Sequence, residues 1–451
     1  MGIHTFESGR RRSFAVVGSG MAGMSAAWLL SQRHDVTVFE REPRLGGHSN
    51  TVVVETVRGP VPVDTGFIVY NAPNYPNLTA LFEHLGVGTE ASNMSFSVSL
   101  DGGAFEYAGG NGAGLLAQPA CLLRADYIAM MHDLLRFYRE APEMLADRAH
   151  VNLSLGEYLK LKCYSEAFAR LHLLPMAAAI WSSSIEAMRA HPVRSFVRFF
   201  ANHGLFKLVG RPEWRTVSGG SCEYVKKLTA RYADNVRVGQ GVRAVLRDAS
   251  SVTIVDAHGE RHRHDAVVIA AHTDEALKML DRPSADERAL LGAFAYRPNL
   301  AVLHDDLSLM PKRKLAWASW NYIGSSKADV NADLCVTYWM NRLQNINKRT
   351  PLFVTLNPIH MPHDNAVKAT FQYEHPVFDA AALTAQDRLW TLQGANRTWF
   401  CGSYFGSGFH EDALQAGLAA AEEAGGVRRP WRVAKESSRI TLAPRLAQAT
   451  A

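Results

Sequence analysis

After a polar, basic opening, the first apolar run is Ser13–Val17 (SFAVV), five residues that lead into a glycine-rich turn. A short apolar run of this kind predicts a buried strand. Met21–Arg33 (MAGMSAAWLLSQR) is dense in Ala, Met and Leu and predicts a helix, and Asp35–Glu40 (DVTVFE) predicts a second strand. Strand, helix and strand at this spacing imply parallel pairing through a right-handed crossover. From about 71 to 210 helical spacing dominates, as in ADYIAMMHDLLRFYREAPEML. Alternation returns in NVRVGQGVRAVLRD and SVTIVDA, and DAVVIAA (265–271) predicts another buried strand. Residues 296–375 form a second strand-rich portion. Trp399–Glu422 (WFCGSYFGSGFHEDALQAGLAAAE) repeats the opening form of apolar run, glycine-rich turn and Ala-rich helix. The glycine cluster 109–114 follows no predicted strand and is expected to be a loop.

The length, 451 residues, exceeds one ordinary core and implies two interleaved domains. Hydrophobic residues make up 47% and charged residues 20%, a globular balance without any apolar run long enough to span a bilayer. The first apolar run is too short for a signal peptide, and Phe6 breaks the N-myristoylation pattern. Cys121, Cys163, Cys222, Cys335 and Cys401 are scattered, which implies a reducing, cytoplasmic setting without a disulfide framework or metal cluster. The net charge of +5 is mild. Residues 1–12 and 427–451 are polar and basic and are expected to be disordered tails.

Gly18-x-Gly20-x-x-Gly23 lies between the first strand and the first helix. Gly18 permits the turn, Gly20 admits a pyrophosphate close to the backbone, and Gly23 lets helix and strand touch. Ser19, Met21 and Ala22 supply backbone around that contact, at the positive end of the helix. Glu40 ends the second strand, where a carboxylate accepts ribose hydroxyls. The spacing is that of a dinucleotide site; a purely structural glycine turn is the alternative.

Further along, Arg41, Arg44 and the pair Gly46-Gly47 follow Glu40, ahead of His48. With Val63–Phe67 (VDTGF), Gly241–Val245 (GVRAV), DAVVIAA and the C-terminal motif, these segments resemble the flavin amine-oxidase and phytoene-desaturase superfamily. The likeness is greatest to a bacterial group of amine-oxidase-like proteins associated with cyclopropane-fatty-acid-synthase-like methyltransferases. The resemblance implies a doubly wound, Rossmann-like FAD-binding domain of the glutathione-reductase type, made of 13–70, 211–285 and 386–426. An α+β substrate domain, 71–210 and 286–385, would be inserted in it. It implies FAD contacts from Thr65, Gly66 and Phe67, from Val242 and Ala271 at the adenine end, and from Gly402, Phe409, His410 and Ala413 around the flavin. Cys401 lies inside the last motif rather than ahead of it, so non-covalent FAD is expected.

Three departures from the family bear on substrate. His48 stands where Arg is usual, and Arg44 is expected to supply the pyrophosphate charge. His48 and His410 are the candidate proton relays, with packing roles as the alternative. The two amine-caging tyrosines of the family align with Phe409 and Phe378, and its lysine near flavin N5 aligns with Leu300. A flavin face lined by Phe378, Phe409 and Leu300 favours an apolar carbon skeleton. The reading is therefore an FAD-dependent dehydrogenase of an unsaturated or methyl-branched acyl chain in a phospholipid. A double-bond isomerase, an amine oxidase and a non-enzymatic flavoprotein partner of a lipid methyltransferase are the alternatives. Arg189–Arg215 interleaves six basic residues with Phe196, Phe199, Phe200, Phe206 and Trp214. That mixture suits the anionic inner face of a membrane, the alternative being an ordinary helix with its phenylalanines in the core. No nucleic-acid motif accompanies it.

Overall fold

The computed structural model describes residues 10–110, 112–146, 153–325 and 334–442. A five-stranded parallel sheet has the order Thr398–Phe400, Ala266–Ile269, Ser13–Val17, Asp35–Phe39, Val236–Arg237. Phe14 pairs with Val36 on one side and Ala266 on the other. All ten residues of the helix Met21–Leu30 are buried. It lies against the helix His410–Gly425, and the contact is close because both are built of small residues. A Cβ on Gly417 would stand 2.2 Å from the Ala22 carbonyl oxygen, and one on Gly425 would stand 2.6 Å from Leu30. The two ends of the described chain thus share one core.

A three-stranded antiparallel sheet, Val242–Arg247, Val252–Asp256 and Arg261–His264, flanks this layer. The second domain is built on a seven-stranded sheet. Its order is Val367–Val377, Ala295–His304, Phe353–Leu356, Cys335–Trp339, Trp320–Gly324, Phe96–Leu100 and Phe105–Ala108. One pair in it is parallel, Trp320–Gly324 with Phe96–Leu100. Helices from the 125–202 region cover it, forming a second core around Phe137, Phe168, Phe196 and Phe200. The fold class is the one expected from sequence, a Rossmann-like α/β layer with an α+β layer inserted.

Several expectations are corrected. The strand Phe105–Ala108 does precede the glycine cluster, and Gly112–Leu115 is a turn of helix. The helix Pro76–Leu85 packs in the first core, because the buried Glu411 carboxylate accepts the backbone N–H groups of Asn77 and Leu78. The boundary placed at 71 therefore falls after this helix. The expected disordered tail is ordered over 427–442. Arg429 is buried and donates to Glu422 at 2.7 and 2.9 Å and to Asn77 at 2.9 Å. Trp431 stacks on Trp28 at 5.7 Å. Basic residues in this segment looked like a solvated tail, but they neutralise carboxylates buried on the C-terminal helix. The rest of that tail, and residues 1–9, lie outside the described residues.

The phenylalanines of Arg189–Arg215 also turn inward. The helix Val193–Asn202 buries Phe196, Phe199 and Phe200. The exposed large apolar side chains of this segment lie in the loop beyond it, where Leu208 is 59% and Val209 87% exposed. Among the described residues no helix is long and apolar enough to cross a membrane.

Candidate flavin site

Four groups of the expected cofactor residues follow the carboxyl ends of adjacent parallel strands: Gly18, Glu40, Ala271 and Gly402. That is where open α/β sheets bind nucleotides. The three glycines separate by role. Gly18 has φ +94°, and its Cβ would meet the Ala270 carbonyl oxygen at 2.7 Å. A Cβ on Gly23 would meet the Gly18 carbonyl oxygen at 2.0 Å. A Cβ on Gly20 would touch nothing within 4 Å. Gly18 and Gly23 serve the turn, whereas Gly20 faces open space at the start of the helix, a cradle shaped for an anionic group. Glu40 lies at its edge and accepts the Ser19 N–H at 2.8 Å and the Ser19 hydroxyl at 2.6 Å. Gly47 closes the other side: a Cβ on it would stand 3.1 Å from Gly20 Cα. Val242 begins a strand just after Gly241, which abuts the Arg41 side chain. Arg41 itself pairs with Glu275 at 2.7 Å.

Thr65, Gly66 and Phe67 brace the His48 segment. Thr65 N–H donates to the Asn50 carbonyl and Phe67 N–H to the His48 carbonyl, and Gly66 has no room for a Cβ against His48. Asp64 beneath them accepts from Ser221, Thr51 and Gln344. Burial pushes its carboxyl up to about 6.

The two candidate relays differ. His410 stacks on Phe67 at 3.8 Å, and its Nε2 is within hydrogen-bond distance of the Ser49 and Tyr224 hydroxyls. Burial lowers its pKa to about 3. It is a neutral member of a packed network. His48 has a buried Nε2 with no partner and stacks on Tyr373 at 4.9 Å. Burial first, then His375, His272, His410 and Arg44, hold its pKa well below the ordinary imidazole value. An unpartnered buried ring nitrogen beside an open cradle is the feature a bound group would satisfy.

Phe409 packs on Phe199 at 4.8 Å and near His203 at 5.9 Å, so its ring faces the second domain. Phe378 is buried against Gly408, one residue before Phe409. Ala413 follows on the same helix and is buried. Leu300 does not join them. In the strand pair Ala295–His304 and Val367–Val377, Asn299 lies opposite Tyr373, and Leu300 opposite Gln372. Side chains alternate across a sheet, so Leu300 points to the other face and Asn299 takes the place inferred for it. Asn299, Tyr373 and His375 were missed. Their signal was the period-two pattern Phe371, Tyr373, His375, which shows one face of a strand but not what it faces.

The residues fit FAD: a phosphate cradle, a ribose carboxylate and an unpartnered imidazole along one cleft. The chain belongs to the flavin containing amine oxidoreductases, whose family model matches residues 21–304. This is a family of FAD-dependent oxidoreductases, built on the fold described above. Among relatives, AofH of Mycobacterium tuberculosis, provisionally named a flavin-containing monoamine oxidase, is 28% identical over 259 residues. That alignment covers 54% of each chain, so this chain spans about half the length of the curated relatives it matches. Carotenoid phi-ring synthase of Chlorobaculum tepidum is 36% identical over 81 residues, 18% of this chain and 12% of that one. Wild-type putrescine oxidase bound to putrescine superposes with a TM-score of 0.65 at 14% identity, covering 92% of this chain and 99% of the other. That likeness concerns the fold.

Proposed function

We propose that this protein is an FAD-dependent oxidoreductase that dehydrogenates an apolar substrate, an unsaturated or methyl-branched fatty acyl chain of a phospholipid. Bound FAD would supply a hydride acceptor, so that one substrate carbon loses a hydride to it and the neighbouring carbon a proton to a base or solvent, leaving a carbon–carbon double bond. The observation that carries the reading is the wall the chain builds around the start of the C-terminal helix. Phe409, Phe378 and Phe199 make it aromatic and apolar, without a phenolic hydroxyl at 409 or 378 to orient an amine. A cleft of about 210 Å³ reaches from Arg211, Glu213 and Trp214 to His203, which adjoins Phe409. The exposed Leu208 and Val209, with Lys207, lie in the loop between Leu205 and Arg211, which line the cleft, and suit an anionic lipid surface. The membrane contact proposed for 189–215 is this loop, since the phenylalanines of Val193–Asn202 are buried.

The test is anaerobic mixing of FAD-loaded protein with phospholipid vesicles carrying monounsaturated or methyl-branched chains, an amine panel run in parallel. Flavin bleaching by the vesicles, with a more unsaturated acyl product, is expected. Bleaching by an amine alone overturns the lipid substrate.

A further inference from the structure

Within the strand pair that carries Tyr373, a chain of side-chain amides ends on a histidine. The Leu300 backbone N–H donates to Asn357 Oδ1 at 2.8 Å. A backbone N–H can only donate, so this contact fixes which end of the Asn357 amide is oxygen. Asn357 Nδ2 then donates to Asn299 Oδ1 at 2.7 Å. Asn299 Nδ2 donates to the Arg297 carbonyl at 3.1 Å, and a carbonyl can only accept. Both ends of the relay are therefore set by the main chain, and the orientation of Asn299 does not depend on its neighbours' side chains. The same Nδ2 lies 3.0 Å from His375 Nδ1.

We infer that Asn357 and Asn299 are positioning residues that hold His375 as the tautomer with its proton on Nε2, giving the flavin cleft a fixed neutral N–H donor. Nδ1 must accept from the Asn299 amide, so in the neutral ring the proton resides on Nε2. The ring is held at the cleft: it lies 5.3 Å from His48, which directly follows the glycine pair closing the phosphate cradle. His48 itself keeps a buried, unpartnered Nε2 there. The titratable and charged groups around His375 are His48 and His272, Glu374, which pairs with His272 at 3.4 Å, Arg297 across the strand, and Arg44 beyond His48. Burial, and then His272, lower the pKa of His375 to about 4, so the ring stays neutral at physiological pH. A neutral imidazole of fixed tautomer donates a hydrogen bond without costing the site a buried cation. Toward a flavin gaining negative charge on reduction, a donor of fixed tautomer would stabilise that charge without having to reorient. The assignment rests on FAD binding, but it does not depend on which substrate is dehydrogenated.

The test is ¹⁵N NMR of the full chain labelled at histidine, with and without FAD, His375 being assigned by loss of its signals in His375→Gln. In wild type, Nε2 is expected to be the protonated nitrogen from pH 8 down to pH 5. Asn299→Asp replaces the donor at Nδ1 by an acceptor. It should move the proton to Nδ1 and raise the His375 midpoint by about one pH unit or more. The reduction potential of the bound flavin should change in Asn299→Asp and fall in His375→Phe, with flavin reduction slowed on the order of 100-fold in the latter. Protonated Nδ1 in wild type overturns the tautomer assignment, and that spectrum alone decides it should Asn299→Asp fail to fold. An unchanged potential in His375→Phe overturns the donor role. The expected tautomer in a protein that binds no FAD would refute the proposed function and leave the relay standing.

Discussion

Gly20→Ala separates cofactor binding from folding. Gly20 has φ −65° and ψ 178°, a conformation open to alanine, and the added methyl meets no protein atom within 4 Å. In the FAD-free protein the entropic gain from removing a glycine, about 0.4–1 kcal/mol, is set against a less favoured residue at the helix start. The two nearly cancel. In the loaded protein the methyl stands where a phosphate approaches. Losing one hydrogen bond to a charged group costs about 1.5–3 kcal/mol, or roughly 10- to 150-fold in FAD affinity. Gly23→Ala is the control: its methyl would stand 2.0 Å from the Gly18 carbonyl oxygen, and forced overpacking costs about 1–3 kcal/mol or more in stability. Thermal unfolding of the FAD-free proteins, followed by FAD titration read through tryptophan fluorescence, gives both quantities. The reasoning fails if Gly20→Ala binds FAD as tightly as wild type, or if it unfolds as early as Gly23→Ala.

Other consequences are open to direct measurement. The Arg429 side chain is fully buried and donates to Glu422 and Asn77, so Arg429→Ala should cost about 1.5–3 kcal/mol in lost charge-assisted hydrogen bonds, Arg428 still pairing with Glu422, and should open 427–442 to limited proteolysis. An unchanged urea midpoint and digestion pattern would contradict this. Burial holds His172 and His191 down to about 4 and His203 to about 3, against 6.5 in the unfolded chain. Their folded pKa values are depressed, so the stability they contribute is complete above pH 6.5 and is lost as pH falls below it. Each should cost about 1 kcal/mol between pH 6.5 and 5.5, a trend that urea unfolding across that range either shows or does not. Cys401 is fully buried, and burial pushes its thiol far above the ordinary value. Acid precipitation should therefore release all the flavin into the supernatant, and yellow precipitated protein would count against non-covalent FAD.

What the sequence determined by itself was local. Gly18, Gly20 and Gly23 are separated by fixed short spacings, and the conformation each requires is set by its own backbone and immediate neighbours. Glu40 follows for the same reason, as the residue just after a strand whose partner lies one helix away. The C-terminal motif was legible because it repeats the strand, turn and helix of the start. Tertiary structure alone decided matters that depend on register and on covering surfaces. A shift of one position exchanges Asn299 for Leu300, because side chains alternate across a strand and only the pairing with Tyr373 shows which face meets the cleft. Asn357, Asn299 and His375 form one relay although strand pairing brings them together from distant parts of the chain. The helix Val193–Asn202 announced an apolar face, but amphipathic spacing does not say whether protein or lipid covers it, and here it is Phe137 and Trp181. The tail 427–442 looked solvated because its charges were visible and the carboxylates that bury them, Glu422 and Asp412, lie on a neighbouring helix. Burial of a charge is a property of the pair, and the partner is chosen by the fold.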